Sequence, residues 1–172
     1  MWTLKSVISI VSLSVLLGAT LIEPEQEDSI IKLATVDIEN APPCLKLYTL
    51  LEKYSEEYNV PFEIALGVAN EETGYLGPFH WSYNPKRISS AAAYGAMQIQ
   101  VPTANDNWDK RVTSKMLMND LELNVHISMK LLARLKEKYG NWRVALGAYN
   151  SGRPIVNGYA IRIASGQSNP IK

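Results

Sequence analysis

Two adjacent glutamates, Glu71 and Glu72, close an otherwise apolar segment and open directly into a stretch rich in aromatic residues. A carboxyl at a helix end, roofed by Tyr75, Phe79, Trp81 or Tyr83, would lose hydration and have its pKa raised. That is the state a general acid needs near neutral pH. Neighbours on a helix point about 100° apart, so one of the pair can face a cleft while the other does not. On residue type alone, two solvated glutamates at a helix end are the commoner outcome. Two later segments, Tyr94-Gly95-Ala96-Met97-Gln98-Ile99 and Ala148-Tyr149-Asn150-Ser151-Gly152, are small, uncharged and amide- or phenol-bearing. Such groups on a tight backbone suit hydrogen bonding to sugar hydroxyls and N-acetyl groups, and they also suit a pair of well-packed turns.

Other chemistries find no support. The sequence holds no Gly-rich phosphate loop, no G-x-S-x-G elbow and no H-E-x-x-H pair. His80 and His126 are isolated, and His126 falls on the polar side of its helix, where a solvated surface histidine is expected. One cysteine, Cys44, excludes an intrachain disulfide and any zinc site built from several thiolates, so no metal and no cofactor is expected. The 17 Lys and Arg balance 17 Asp and Glu, which gives no polyelectrolyte footprint and no nucleic-acid partner.

The elements that must position these residues read as helices. At 172 residues, with 47% hydrophobic and 20% charged residues, the chain suits one globular domain with an appended segment. Leu47, Leu51, Tyr54 and Tyr58 share one face of a helix over about 44–58, after which Pro61 restarts the chain. Phe62, Ala65, Leu66 and Ala69 stripe a second helix ending near Glu72-Thr73-Gly74. Residues 74–93, with Gly74, Gly77, Pro78 and Pro85, form a long irregular loop of the kind that is more often functional than not. Leu121, Val125, Ser128, Leu132, Leu135 and Tyr139 predict a third helix stopped by Gly140, and a fourth covers about 141–149 with Val144, Ala145 and Ala148 inward. Strand-like alternation is weak, so the fold class is all-α.

Three motifs in order carry a resemblance. Ala65 through Asn70-Glu71-Glu72-Thr73-Gly74-Tyr75, then Ser89 through Gly95-Ala96-Met97-Gln98-Ile99, then Asn141 through Ala148-Tyr149-Asn150-Ser151-Gly152 resemble the soluble lytic transglycosylase (SLT) domain, related to goose-type lysozyme. Asn124 with Leu131-Leu132 matches the intervening helix, and the likeness covers roughly residues 45–157. The resemblance implies a lysozyme-like fold acting on peptidoglycan glycan strands, with Glu72 as the catalytic glutamate and Glu71 as a structural or solvated neighbour. It places Ser89, Gln98, Gln100, Tyr149 and Asn150 in the sugar-binding cleft. Three departures stand out. Gln100-Val101-Pro102 replaces a frequent Met-Pro, Ser128 replaces a frequent glycine, and the loop between Glu72 and Gln98 is longer than usual.

The family chemistry implied is substrate-assisted and uses one glutamate as acid and then base, forming a 1,6-anhydro ring without a second carboxylate. No Asp or Glu lies between Glu72 and Asp106, and Asp106 and Asp109 are expected in a solvated loop. A hydrolase on the same fold would need a carboxylate opposite Glu72. A wall-binding structural component of a secretion apparatus or phage particle would bind murein without cutting it.

The amino-terminal 22 residues read as a signal peptide or membrane anchor. Lys5 precedes an uncharged run from Ser6 to Ile22, which as a helix spans about 25 Å against a hydrocarbon core of roughly 30 Å. Residues 23–43 read as an acidic linker, with six acids and only Lys32 among residues 23–39. The domain proper is 44–172, and from residue 40 onward fifteen bases face eleven acids, a net of +4. Either reading of the leader sends this domain out of the cytoplasm, to the periplasmic side of a bacterial inner membrane, or onto a phage virion.

Overall fold

In a computed structural model of the protein, residues 40–171 are described. The hydrophobic run 6–22 and the acidic stretch 23–39 lie outside the described residues, and so do the expectations placed on them. Seven helices and one small hairpin make up the described part, in keeping with an all-α class. Helix α1 spans Pro43–Tyr58 and buries Cys44, Leu47, Leu50, Leu51 and Tyr54, the i, i+3, i+4, i+7 stripe of an amphipathic helix. Asn59, in the left-handed region at φ 52°, ends it and turns the chain into α2, Phe62–Thr73. Helix α2 is apolar on nearly every side, burying six consecutive residues from Ile64 to Ala69, as befits an element covered all round.

The hairpin pairs β1, Ala93–Tyr94, antiparallel with β2, Ile99–Gln100, with Tyr94 opposite Ile99. Short helices α3, Val101–Asn107, and α4, Ser114–Asn119, follow. The long helix α5, Leu121–Tyr139, starts at Asp120, whose carboxylate accepts from the Leu123 N–H at 2.9 Å, and stops at left-handed Gly140. Helices α1, α3, α4 and α6 (Trp142–Ser151) all lie against α5. Helix α7, Gly158–Ala164, packs on α6 and α2. Among the described residues no helix is long and apolar enough to cross a membrane.

The four helices expected from periodicity are present with ends shifted by at most two residues, and 74–92 is irregular apart from a single bridge at Ile88. Val144 is only half-buried, unlike Ala145 and Ala148. His126 is not a solvated surface histidine. Its ring stacks on Tyr54 at 4.3 Å, meets the edge of Trp108 at 4.7 Å, and shares a 2.6 Å hydrogen bond with the Tyr58 hydroxyl. Burial in this aromatic pocket lowers its pKa. The polar side of α5 is covered there by α1, which a single-helix reading does not register.

Two glycines permit the close approaches that bring α7 into place. A Cβ on Gly67 would stand 2.9 Å from Ile163 Cγ2, so α2 and α7 touch at this point. A Cβ on Gly147 would fall 1.6 Å from the Ile155 carbonyl oxygen, because the 152–157 connection folds back over α6. Gly147→Ala should therefore destabilise the protein by about 2–3 kcal/mol despite the roughly 1 kcal/mol that alanine gains in a helix. Urea denaturation measures this, and a neutral or stabilising result would mean that the connection does not lie against α6.

Candidate active site

Glu71 and Glu72 sit in the last turn of α2, just before Gly74 takes the left-handed conformation at φ 70° and ends the helix. The Gly74 N–H donates to the Asn70 carbonyl at 2.7 Å, and the Asn70 amide donates to the Tyr75 carbonyl at 3.0 Å, closing the terminus. Helix geometry then sends the two carboxyls different ways. Glu71 turns to Arg162 of α7, whose Nε donates to Oε1 at 2.8 Å while Nη2 donates to Oε2, a two-pronged ion pair. The Ser168 hydroxyl donates to the same carboxylate. The Arg162 hydrogen bonds hold Glu71 below its ordinary pKa against an opposing push from burial.

Among the described residues no cation pairs with Glu72. Its Oε1 accepts one hydrogen bond, from the Tyr159 hydroxyl at 2.8 Å. Burial pushes its pKa up to about 7; the Tyr159 bond pulls the other way, and the negative Glu71 adds to the rise. Burial also raises the pKa of Tyr159 and Tyr149, with the Glu72 charge adding to both, so both phenols stay protonated. The covering groups are not the expected ones. Tyr75 is fully buried with its hydroxyl donating to the Cys44 carbonyl at 2.8 Å, Tyr83 bonds Thr73 Oγ1 at 2.8 Å, and Phe79 and Trp81 are 76% and 63% exposed. The loop aromatics thus serve the core or face solvent, and the cover comes from Tyr159.

Glu72 opens into a cleft of about 630 Å³ whose walls include Ser89, Gln98, Gln100, Tyr149 and Asn150. All six residues singled out from the sequence thus line one cavity. Ser89 Oγ accepts from the Ala93 N–H at 3.1 Å and steadies the hairpin. Gln98, at φ 50°, donates through Nε2 to the carbonyls of Gly95 (2.8 Å) and Arg87 (3.1 Å). Gln100 Nε2 donates to the Ala91 carbonyl at 3.0 Å, and Asn150 Oδ1 accepts from Asn157 Nδ2 at 3.0 Å. Each of these amides commits one end to the protein. The other ends, Oε1 of Gln98 and Gln100 and Nδ2 of Asn150, have no hydrogen bond among the described residues. Two acceptors and a donor are left for a ligand rich in hydroxyls and amides.

The Gly95–Gln98 turn that carries this wall is fixed from behind. Asn124 of α5, with no exposed surface, accepts from the Met97 N–H at 2.9 Å and donates to the Tyr94 and Leu117 carbonyls at 2.8 and 3.2 Å. The Tyr149 hydroxyl donates to the Met97 carbonyl at 2.8 Å, so its ring lines the cleft while its proton holds the turn. Ser128, at the place of a frequent glycine, is buried and donates to the Asn124 carbonyl at 2.6 Å.

Four residues of the site were not foreseen. Tyr159 and Arg162 belong to α7, whose trace in the sequence is a cap, Asn157, ahead of the apolar set Tyr159, Ala160 and Ile163. Arg134 and Lys138, one turn apart on α5, stand on the cleft wall. Asp106, expected in a loop, sits in α3 at the cleft margin and is exposed, while Asp109 does lie in an exposed loop. Among the described residues no group of His, Cys, Asp and Glu could hold a metal ion.

Among the described residues, then, an all-α domain presents one half-buried, proton-retaining carboxyl to a polar cleft. Residues 49–165 match the Transglycosylase SLT domain, and the chain belongs to that family. Among curated proteins, Protein IpgF of Shigella flexneri and Protein IpgF of Shigella sonnei are each 33% identical over 106 residues, covering 59% of this chain and 64% of the relative. Among solved structures, the 70 kDa soluble lytic transglycosylase of Escherichia coli is similar at 25% identity with a TM-score of 0.51, over 71% of this chain and 18% of that one. A complex of the 70-kDa soluble lytic transglycosylase with bulgecin A matches at 25% identity and a TM-score of 0.53, over 72% and 21%. The matched region thus spans less than two thirds of the curated relatives and about a fifth of the solved chains.

The raised Glu72 pKa makes stability depend on pH. Between its ordinary value of 4.5 and about 7, the folded protein holds a proton that the unfolded chain has released. The resulting contribution is fully present below pH 4.5 and is lost as pH rises through 7, by about 3 kcal/mol. Glu72→Gln lacks this dependence, so its stability relative to wild type should rise by about that amount between pH 4 and pH 8 in urea titrations. A gap that does not change with pH would mean Glu72 ionises normally. Tyr159→Phe removes a donor that favours the carboxylate and should move the Glu72 titration upward, as read by carbon-13 NMR of the carboxyl; a downward shift would reverse the assigned role of that bond.

Proposed function

We propose that the protein is a peptidoglycan lytic transglycosylase in which Glu72 does both halves of the proton work. The observation that carries this reading is the isolation of Glu72: one cleft carboxyl raised to about 7 and, among the described residues, no cation beside it. A group in that state donates a proton near neutral pH to the glycosidic oxygen between N-acetylmuramic acid and N-acetylglucosamine. As that bond breaks, the neighbouring N-acetyl carbonyl stabilises the anomeric carbon. The Glu72 carboxylate then takes the proton of the C6 hydroxyl, whose oxygen closes on the anomeric carbon to give a 1,6-anhydro ring, and the carboxyl is restored. Gln98, Gln100, Tyr149, Asn150 and Ser89 form the walls that hold the sugars.

Asp106 favours a second reading. Apart from Glu72 it is the acidic residue among those lining the cleft, and a carboxylate across from a general acid can activate water in a hydrolase. Its exposure on the margin weighs against this, because a solvated carboxylate there competes poorly with a C6 hydroxyl already attached to the substrate. Residues 6–22 would keep the domain at a bacterial inner membrane or export it across, where murein lies; a secretion apparatus or a phage particle would use the same cut.

Mass spectrometry of the muropeptides released from purified sacculi tests both readings. Wild type should yield 1,6-anhydro ends, and Glu72→Gln should lower the rate by about 10²- to 10⁴-fold while keeping the fold. Asp106→Asn should leave the product unchanged. Reducing ends that vanish in Asp106→Asn would make the protein a hydrolase. Binding to sacculi with no products would make it a structural wall-binding component.

A further inference from the structure

Of the aromatic residues that follow Glu72, two are left facing water. Phe79 and Trp81, 76% and 63% exposed, meet edge to face with ring centres 6.2 Å apart, and Leu76, 55% exposed, precedes them. They project from a tight turn in which the His80 N–H donates to the Gly77 carbonyl at 3.3 Å and the Tyr83 N–H to the His80 carbonyl at 2.9 Å. The turn is held from below. Tyr83 is buried edge-on against Tyr75, and a Cβ on Gly77 would come 3.0 Å from Ile171 Cγ2. Leu76, Phe79 and Trp81, with Ile171 beside Gly77, thus show apolar surface to solvent on a fixed base. A clustered patch of this kind marks an interaction site.

The charge around the patch has one sign. Residues 73–105 hold Lys86 and Arg87 and no Asp or Glu. Both bases are exposed and bonded to neutral groups: Lys86 Nζ donates to Asn119 Oδ1 at 3.0 Å, and Arg87 Nη1 to the Thr73 carbonyl at 3.0 Å. Among the described residues neither forms an ion pair, so both charges stay available. A matching partner carries negative charge at its surface and an apolar layer just beneath. A bilayer with anionic headgroups has both, and its interface takes up indole and phenyl rings flanked by bases. A folded protein would need a pocket shaped to two rings that point outward from a turn, whereas a fluid surface needs none. The entry of the chain adds a second argument. Ala41 and Pro43 line one small cavity with Pro85 and Lys86, so the segment that follows residues 6–22 joins the domain beside the base of this loop.

We propose that the loop over residues 76–88 is a membrane-docking element, which lays Phe79 and Trp81 into the interface of an anionic bilayer while Lys86 and Arg87 meet lipid phosphates. It requires no catalytic step, so it is independent of the transglycosylase reading. The loop connects Glu72 to Ser89, and both line the cleft, so docking sets the orientation of the cleft to the bilayer.

Trp81 itself reports the contact. The full-length chain is mixed with vesicles of phosphatidylcholine containing about one-third phosphatidylglycerol, with lipids brominated on their acyl chains as quenchers. The Trp81 signal is the emission of wild type minus that of Trp81→Phe, which keeps a ring at an exposed position and cancels Trp2, Trp108 and Trp142. On these vesicles the signal should move to shorter wavelength and fall by about half, as for an indole at headgroup depth. On phosphatidylcholine alone it should stay unquenched. Lys86→Gln and Phe79→Ser, each paired with and without Trp81→Phe, should weaken docking by about fivefold and tenfold. A Trp81 signal that the anionic vesicles leave unquenched would overturn the proposal, as would equal quenching on neutral ones. A shift on purified sacculi without one on vesicles would assign the patch to glycan and overturn it too.

Discussion

A carboxyl group keeps its proton to neutral pH only where burial opposes its charge and no cation rewards it. Two adjacent glutamates in the last turn of α2 make that hard to arrange, because a guanidinium that satisfies one can reach the other. The protein separates them by direction. Arg162 and Ser168 take Glu71, Tyr159 takes Glu72, and the two α7 residues, three apart on one helix, face the two carboxyls. The ion pair at Glu71 has an electrostatic consequence too. Arg162 offsets part of the Glu71 charge; what remains still repels an ionised Glu72, but burial is the leading cause of the raised pKa. The site therefore depends on α7 lying against α2. That contact rests on Gly67, where the absent Cβ admits Ile163, and on Gly147, where the chain leading into α7 crosses α6.

The opposite wall obeys a different constraint, the complete use of a buried amide. Asn124 is out of water altogether and uses both ends of its side chain on the Tyr94–Met97 backbone and Leu117. A buried amide left unpaired costs a few kcal/mol, so this arrangement admits essentially one conformation of the turn. Thr73 Oγ1 adds a bond to the Ala96 carbonyl at 3.0 Å, which ties the turn to the residue after Glu72. The spacing between carboxyl and amide wall is thus fixed by buried side chains bonded to the main chain of the turn.

How much of this was legible follows from the lengths of the signals. Helices α1, α2, α5 and α6 run from 10 to 19 residues, long enough for an apolar stripe to repeat. Helices α3, α4 and α7 have 6 or 7 residues, too few for the stripe to stand out, and only their caps, as at Thr113 and Asn157, mark them. The hairpin has 2 residues per strand, so alternation has no room to appear. The motifs carrying Glu72, Gln98 and Tyr149 are local and readable, and their meeting in one cleft follows from the helical scaffold. What covers Glu72 was not readable. Sequence proximity pointed to the aromatics just downstream, whereas the phenol in contact comes from 87 residues away. His126 taught the same lesson: a polar helix face is exposed only until another helix covers it.

The same geometry bears on the proposed chemistry, in which Glu72 gives up its proton. The new carboxylate would keep a single donor, Tyr159, beside an already negative Glu71, in surroundings that disfavour charge. Among the described residues no lysine or arginine bonds it. The anion is therefore held at higher free energy than a solvated carboxylate and has a strong tendency to recover a proton from any acidic hydrogen brought within reach. Burial, which makes Glu72 a reluctant acid at low pH, makes its carboxylate an effective base once formed. One group can then act first as donor and then as acceptor without help from a second carboxylate. Tyr159 tempers both halves: its hydrogen bond lowers the pKa toward neutrality, so that neither protonation state is locked in.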